Sequence, residues 1–472
     1  MKLRYAEEVK GEYMEKRYPL TAAQNMHYQW IRSYATQQVS GLSVVAAFQA
    51  DVDVNLMKKS INEEYRRYSC LRLRFTKPDK KGVISQYVSE WKKQDFPEKD
   101  LRDMTMDEAD DVMQKWAYET FDGDDIPMSE FFIVHLPDNY NGFFVHMDHR
   151  LCDSVGIAVM VNDIMGVYAH YKYGTGLPQE HTDYEKVLEQ DLKREANPKR
   201  LARAKKFWDS QLELYGEPVY SDIQGMRVLE ESRRRHKNPD LKAADIEKKD
   251  LQVLVKDYAL EPENTARVIE FCKEKQVSPT NLLLLVIRTY LSKVCDGQED
   301  ITVENFIARR STQDEIFSGG SRTLCYPCRT VIPADTTFID AVRKIQDVQN
   351  HIYMNGSYDP ELVRDEIRKR YGTPEDTSYV SCYLTYQPPL PTRNATSGLP
   401  SHIKWFANGA ATKKMYLTVS HLPDGALNFS YHYQNAHLTE KDMEILYYYM
   451  MRILFRGIED PQRTVGEIMA LV

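Results

Sequence analysis

The sequence predicts a mixed α/β fold with a repeated architecture, on three observations. Segments of helical and strand periodicity alternate through both halves of the 472 residues. Two highly charged stretches, about 184–214 and 230–250, lie between the two alternating series. The chain is also longer than one hydrophobic core fills, since single cores stop growing near about 250–300 residues. With 42% hydrophobic residues, 31 tyrosines and 16 phenylalanines, it has the material for two.

In the first half, Thr21 can cap a helix running from Ala22 to about Tyr34. Gly41 to Ala50 reads as a strand. In 53–68, Val54, Met57, Ile61, Tyr65 and Tyr68 recur at helical spacing. Leu71 to Phe75 alternates as a half-buried strand does, and Val83 to Val88 reads as another. A helix is expected over 105–121. Glu130 to Leu136 and Phe143 to Met147 are two strands joined by the polar turn Pro-Asp-Asn-Tyr-Asn-Gly. A helix follows Asp153, with Gly174 as its stop.

The charged region 184–214 reads as helical and contains a basic run between Lys193 and Lys206. That run is either a solvated helix face or a dock for an acidic partner. The second half repeats the alternation. Strands are expected at 251–255, 301–308, 324–332, 379–385, 417–421 and 427–433. Helices are expected at 262–275, 278–294, 337–353 and 361–371, and one over 439–456 closes the chain.

Composition excludes several function classes. Net charge is −8, with 62 basic and 70 acidic residues, so no general electrostatic pull toward nucleic acid or acidic membrane exists. The N-terminus is polar and acidic, without the apolar core of a signal peptide. No apolar run approaches a membrane span; the longest, around Leu282 to Leu291, is interrupted by Arg288 and reads as a buried helix. A soluble, cytoplasmic protein is expected. Seven dispersed cysteines point to reduced thiols, which makes the Asn394-Ala-Thr396 sequon uninformative.

Chemistry concentrates where the strand ending near Met147 runs into the next helix. His146, Asp148, His149 and Asp153 cluster there. An imidazole titrates near pH 6.5, so His149 can accept and return a proton at neutral pH. A hydrogen-bonded histidine at a strand end is the alternative. Strand alternation sends His146 and Asp148 to one face, Met147 and His149 to the other. Asp153, at the helix start, is placed to cap it. His146 and His149 could be taken for metal ligands, but strand geometry separates them and the sequence shows no matching ligand cluster, so no metal is expected. Cys152 is either a nucleophile beside His149 or, more in keeping with free cysteines, a small buried hydrophobe. Cys325-Tyr-Pro-Cys328 lies in an expected strand with no second pair, which points to core or edge thiols. No phosphate-cradling glycine loop and no Gly-x-Ser-x-Gly elbow occur.

Several segments together resemble the condensation-domain superfamily of nonribosomal peptide synthesis, relatives of chloramphenicol acetyltransferase. The family signature His-His-x-x-x-Asp-Gly reads here Asp148-His149-Arg-Leu-Cys-Asp153-Ser154. Pro19-Leu-Thr-Ala-Ala-Gln24 is similar to the first family motif. Leu177-Pro178, Phe207-Trp208 with Leu212, the strand 300–310 ending in Arg310, and Tyr433-Gln-Asn-Ala-His-Leu438 follow in family order. Three departures stand out: Asp148 replaces the first histidine, Ser154 replaces the glycine, and 318–329 matches its family segment poorly.

The resemblance implies a V-shaped pseudo-dimer of two acetyltransferase-like subdomains, each a mixed sheet packed with helices, here 1–185 and 186–472, with a tunnel between them. It assigns catalysis to His149 and structural support to an Asp153–Arg310 pair, with Asp148 and Ser154 near the active site. It implies acyl transfer from a thioester, with no cofactor held by the chain itself. The acyl group would arrive on the phosphopantetheine of an acyl or peptidyl carrier protein, met in trans by a stand-alone monomer. Amide formation with an amine acceptor leads; ester formation with an alcohol, a coenzyme A donor, a catalytically silent carrier-binding module, or an epimerase-type relative are the alternatives.

Overall fold

Strand alternation in the first half builds a sheet with a buried layer on each face. The structure is a computed structural model that describes residues 16–389 and 398–472. The polar N-terminal segment and the Asn394–Thr396 sequon lie outside the described residues. The N-terminal sheet has five strands in the order Ser401–Phe406, Gly41–Gln49, Tyr140–Asp148, Ser129–Leu136, Glu98–Asp100. Its first three pairings are antiparallel and the last is parallel. Phe143, Val145 and Met147 face a core shared with Met57 and Ile61 of helix Val54–Arg67 and Ile157 and Met160 of helix Ser154–Tyr173. Phe144 faces the opposite core, with Val45, Phe132 and Met113 of helix Met106–Trp116. A period of two thus divides one strand between two cores.

The second half forms a six-stranded mixed sheet in the order Leu324–Val331, Asp300–Ile307, Cys382–Gln387, Met415–His421, Leu427–Gln434, Val253–Leu260. The second and third pairings are parallel and the other three antiparallel. Helix Pro279–Val294 is buried continuously from Asn281 to Ser292. Arg288, buried in it, donates from Nη2 to the Glu299 carbonyl at 2.7 Å, while its Nε and Nη1 have no hydrogen-bond partner. Among the described residues, no helix is long and apolar enough to cross a membrane. All seven cysteines are buried and free.

Two reciprocal exchanges tie the halves together. Helix Ala22–Tyr34 belongs to the first half, yet Ala22, Ala23 and Met26 enter the core of the second. Strand Ser401–Phe406 comes from the second half, yet pairs antiparallel with Gly41–Gln49. Pattern reading assigns no strand at 401–406. Ile403 and Trp405 alternate with His402 and Lys404, but the apolar pair is the exposed one, while His402 and Lys404 bind Asp110 at 2.8 and 2.6 Å.

Local chemistry accounts for the elements that match expectation. Thr21 and Gln24 form a reciprocal capping box at the helix that starts at Ala22. Ser278 caps the helix opening at Pro279. Three expectations need correction. The region 184–214 is two helices, Tyr184–Glu195 and Pro198–Tyr215, because Pro198 lacks an N–H and Asn197 caps the second helix. The strand expected at 251–255 runs over Val253–Leu260. The helix at 440–459 does not close the chain: Thr464 and Glu467 cap a further helix, Val465–Leu471.

Candidate active site

The strand Tyr140–Asp148 ends where its pairing with Gly41 ends, and the chain turns through 149–152 into helix Ser154–Tyr173. The His149 amide donates to the Ser40 carbonyl at 2.6 Å, which pins the turn to the neighbouring strand's start. The expected division by face holds within the strand. His146 is hydrogen-bonded at both ring nitrogens, to Ser43 Oγ (2.7 Å) and the Glu119 carbonyl (2.9 Å), and stacks on Phe121. It is a satisfied core histidine. Asp148 accepts from the Arg150 amide at 2.8 Å and from its guanidinium at 2.9 Å, and from Ser40 Oγ at 3.2 Å. Asp148 therefore braces the turn that presents His149.

Asp153 both caps a helix and closes an ion pair. Its Oδ1 accepts from the Gly156 amide at 3.1 Å and from Arg310 Nη2 at 2.7 Å. Its Oδ2 accepts from the Arg322 amide at 3.1 Å and from Thr323 Oγ1 at 3.2 Å. The Asp153 and Arg310 side chains are 1% and 3% exposed, so the pair is shielded from solvent. Burial works to raise the Asp153 pKa, but Arg310 and the Gly156 amide outweigh it and hold the carboxyl below its ordinary value. Arg310 also donates to the carbonyls of Glu315, Gly319 and Gly320. Further buried pairs surround it, Arg309–Glu195 at 2.9 Å and Arg322–Asp191. Arg194, from the basic run, reaches Glu315 at 2.6 Å, so that run is not wholly a solvated face.

The loop carrying Gly319 can approach the start of helix Ser154–Tyr173 only because glycines meet there. A Cβ on Gly156 would lie 2.3 Å from Cys152 Sγ and 3.4 Å from the Gly319 Cα. Gly319 itself has φ +73°, and a Cβ there would lie 2.3 Å from Cys70 Sγ. Cys152 is thus a buried packing group beside Gly156. Gly156→Ala is expected to destabilise the fold by about 1–3 kcal/mol through overpacking. Urea unfolding should show that loss reduced in a Cys152→Ala background, which removes the struck atom.

His149 sits beside a residue that no pattern in the sequence singles out. Its ring stacks on His27, with centroids 4.0 Å apart and planes at 19°. His27 lies on helix Ala22–Tyr34, and its two ring nitrogens are buried without hydrogen-bond partners. His149 Nδ1 is sealed in the same way, whereas Nε2 is not. Trp30, one turn on, packs edge-on against His27 and reaches Phe306 and Tyr383 of the second half, at 6.4 and 6.0 Å. His149 thus stacks on a helix whose next turn packs against the second half. Only helical spacing from Gln24 within the first motif could have pointed to His27.

Burial lowers the pKa of both rings, helped at His27 by its neighbour His149; at His149 the carboxylates of Asp153 and Asp148 oppose it. The unfolded chain takes up protons on these rings near pH 6.5, the native rings only at lower pH. Their contribution to stability is therefore present above about pH 6.5 and lost as pH falls below it. Urea midpoints should fall between about pH 7 and 5, with a shallower fall in His27→Phe, whose ring cannot titrate.

Ser154 receives a hydrogen bond from Gln387 Nε2 of the second half at 3.4 Å, at the long end of the range. Cys325 and Cys328 lie opposite Phe306 and Val303 in adjacent strands and are buried. Glu64, Asp163 and His181 come together as a cluster of metal-ligand type. The three are far apart in sequence, so no spacing motif announces them.

A two-lobed, V-shaped α/β architecture with a histidine-bearing turn at the join is the fold that the sequence resemblance implied. The chain belongs to the condensation-domain family, whose model, Condensation domain, matches residues 14–471. A plipastatin synthase of Bacillus subtilis (strain 168) is 20% identical over 456 residues, which is 96% of this chain. The chain spans only 17% of that relative's length. The first condensation domain of the calcium-dependent antibiotic synthetase, solved with a substrate analogue, is similar in structure: TM-score 0.76, 15% identity, 96% of this chain and 98% of that one. The starter condensation domain of rhizomide synthetase, solved as a mutant with C8-CoA, gives TM-score 0.77, 14% identity, 95% and 96% coverage.

Proposed function

We propose that the protein condenses an acyl or aminoacyl thioester, held on the phosphopantetheine of a carrier protein, with an amine, and that His149 is its catalytic residue. The observation that carries this reading is the placement of His149. It is presented by a braced turn and stacks on His27, on the helix that reaches the second half through Trp30. Depression of its pKa by burial keeps the imidazole neutral at physiological pH, the form able to take a proton. The amine nitrogen attacks the thioester carbonyl, the C–N bond forms, and the surplus proton passes from nitrogen to His149. The C–S bond then breaks, and the proton goes to the departing thiolate. Asp153 and Arg310 do not touch substrate in this reading; they hold the turn and the 310–323 loop in register.

Orientation of two bound substrates supplies the rest of the acceleration, to which effective molarity can contribute about 7–11 kcal/mol. A coenzyme A donor is the second reading, since a structurally similar starter domain was solved with C8-CoA. The test is to offer acyl-loaded carrier proteins and acyl-CoAs separately, each with amines and alcohols, and follow acyl loss and product by mass spectrometry. Amide from the carrier donor supports the proposal. Product from acyl-CoA alone, or carrier binding without turnover, overturns it.

A further inference from the structure

We propose that Glu64, Asp163 and His181 form a buried binding site for one divalent cation of the zinc class. Glu64 projects from helix Val54–Arg67, Asp163 from helix Ser154–Tyr173, and His181 from the segment after that helix. Each offers one donor atom, and the three atoms lie within 4.8 Å of one another. His181 Nε2 is 3.2 Å from Glu64 Oε1 and 3.4 Å from Asp163 Oδ2. Ligands bound at about 2.0–2.2 Å in a tetrahedron stand about 3.3–3.5 Å apart, so these separations match polyhedron edges around a shared ion.

A second observation points the same way. The Glu64 side chain is fully buried, yet neither carboxylate oxygen has a hydrogen-bond partner, and His181 Nε2, equally sealed, has none. Buried Glu64 oxygens and a buried His181 Nε2, close together and without hydrogen bonds, are costly unless something sits between them. His181 Nδ1 lies 3.2 Å from the Phe317 carbonyl. A carbonyl only accepts, so Nδ1 carries a proton there, and Nε2 is the ring nitrogen turned to the cluster, where it holds either a second proton or a cation, as in metal-bound histidines.

The charges around the site agree. Arg67 donates to both Asp163 oxygens at 3.2 Å, and its Nη1 lies 3.5 Å from Glu180. Arg66, which also reaches Glu180, is matched by Glu63. With all three carboxyls ionised, Glu64, Asp163 and Glu180 set three negative charges against Arg67. A divalent cation with neutral His181 balances the group; a proton on His181 leaves one negative charge. A bound cation would clamp the helix that begins at Ser154 to its neighbour and, through Phe317, to the loop following Arg310.

The test is metal analysis of the full chain, purified without a histidine tag, by inductively coupled plasma mass spectrometry. About one zinc-class ion per chain is expected, lost in Glu64→Gln and in His181→Gln. Chelation of the wild type should lower its melting temperature and zinc should restore it, a readout independent of whether the variants fold. Calorimetric titration of the chelated protein should show one site. A wild type that retains no metal and neither binds zinc nor gains thermal stability from it overturns the proposal in favour of a protonated His181. Metal that persists at full stoichiometry in both variants overturns it as well.

Discussion

His149→Ala is expected to lower the turnover number for acyl transfer by about 10²–10⁴-fold, the range over which a positioned acid–base group contributes. The KM values should change little, because in the proposed mechanism the residue meets the reacting atoms and not the carrier. Stability should hold, since the substitution removes a sealed, unpartnered Nδ1 along with the ring. Circular dichroism and urea unfolding would verify the fold, and single-turnover assays with a loaded carrier would read the chemical step. Product formed as fast as by the wild type would refute the assignment. His27→Phe separates the two stacked rings: it keeps an aromatic surface beside His149 and removes a titrating group, so much of the turnover should survive.

The second large effect belongs to the Asp153–Arg310 pair. Removing one partner of a buried ion pair leaves an uncompensated charge and costs about 3–5 kcal/mol. Arg310→Ala should lose that in urea unfolding, and activity should fall with it as the 310–323 loop loosens. Asp153→Ala should lose more, because the cap on the Gly156 amide goes too, a further loss of about 0.5–2 kcal/mol. Asp153→Asn is the informative intermediate: the amide oxygen can still cap the helix, but Arg310 stays unpaired. The Asp153→Ala/Arg310→Ala double variant should be destabilised by clearly less than the sum of the single losses, since both report one interaction. Additive losses would mean that the two residues act separately.

These residues also show how far local pattern reaches. Asp153 is legible as a cap from its place before an amphipathic run, and as an ion-pair partner only through family resemblance; in the fold it is both. Asp148 stands out as a departure from the signature, but its role requires the turn geometry that folds Arg150 back onto it. His27 and His181 carry no such mark. The contacts that give them interest are remote in sequence: His27 meets His149 across the first half, and His181 meets Glu64 at a similar remove.

By itself the sequence determined the local elements, because capping, period and proline position act within a few residues. Thr21 with Gln24, Ser278 with Pro279, and the alternation through Phe143–Met147 are of that kind. Through its ordered motifs it also determined the family and the turn that presents His149. Tertiary structure alone decided what depends on contacts between distant segments: the exchange of strand Ser401–Phe406, the docking of helix Ala22–Tyr34 on the other half, the His27–His149 stack, and the gathering of Glu64, Asp163 and His181. The physical reason is range. A hydrogen-bonded cap leaves its pattern in adjacent residues, whereas burial and charge pairing are satisfied by whichever groups the packed halves bring together.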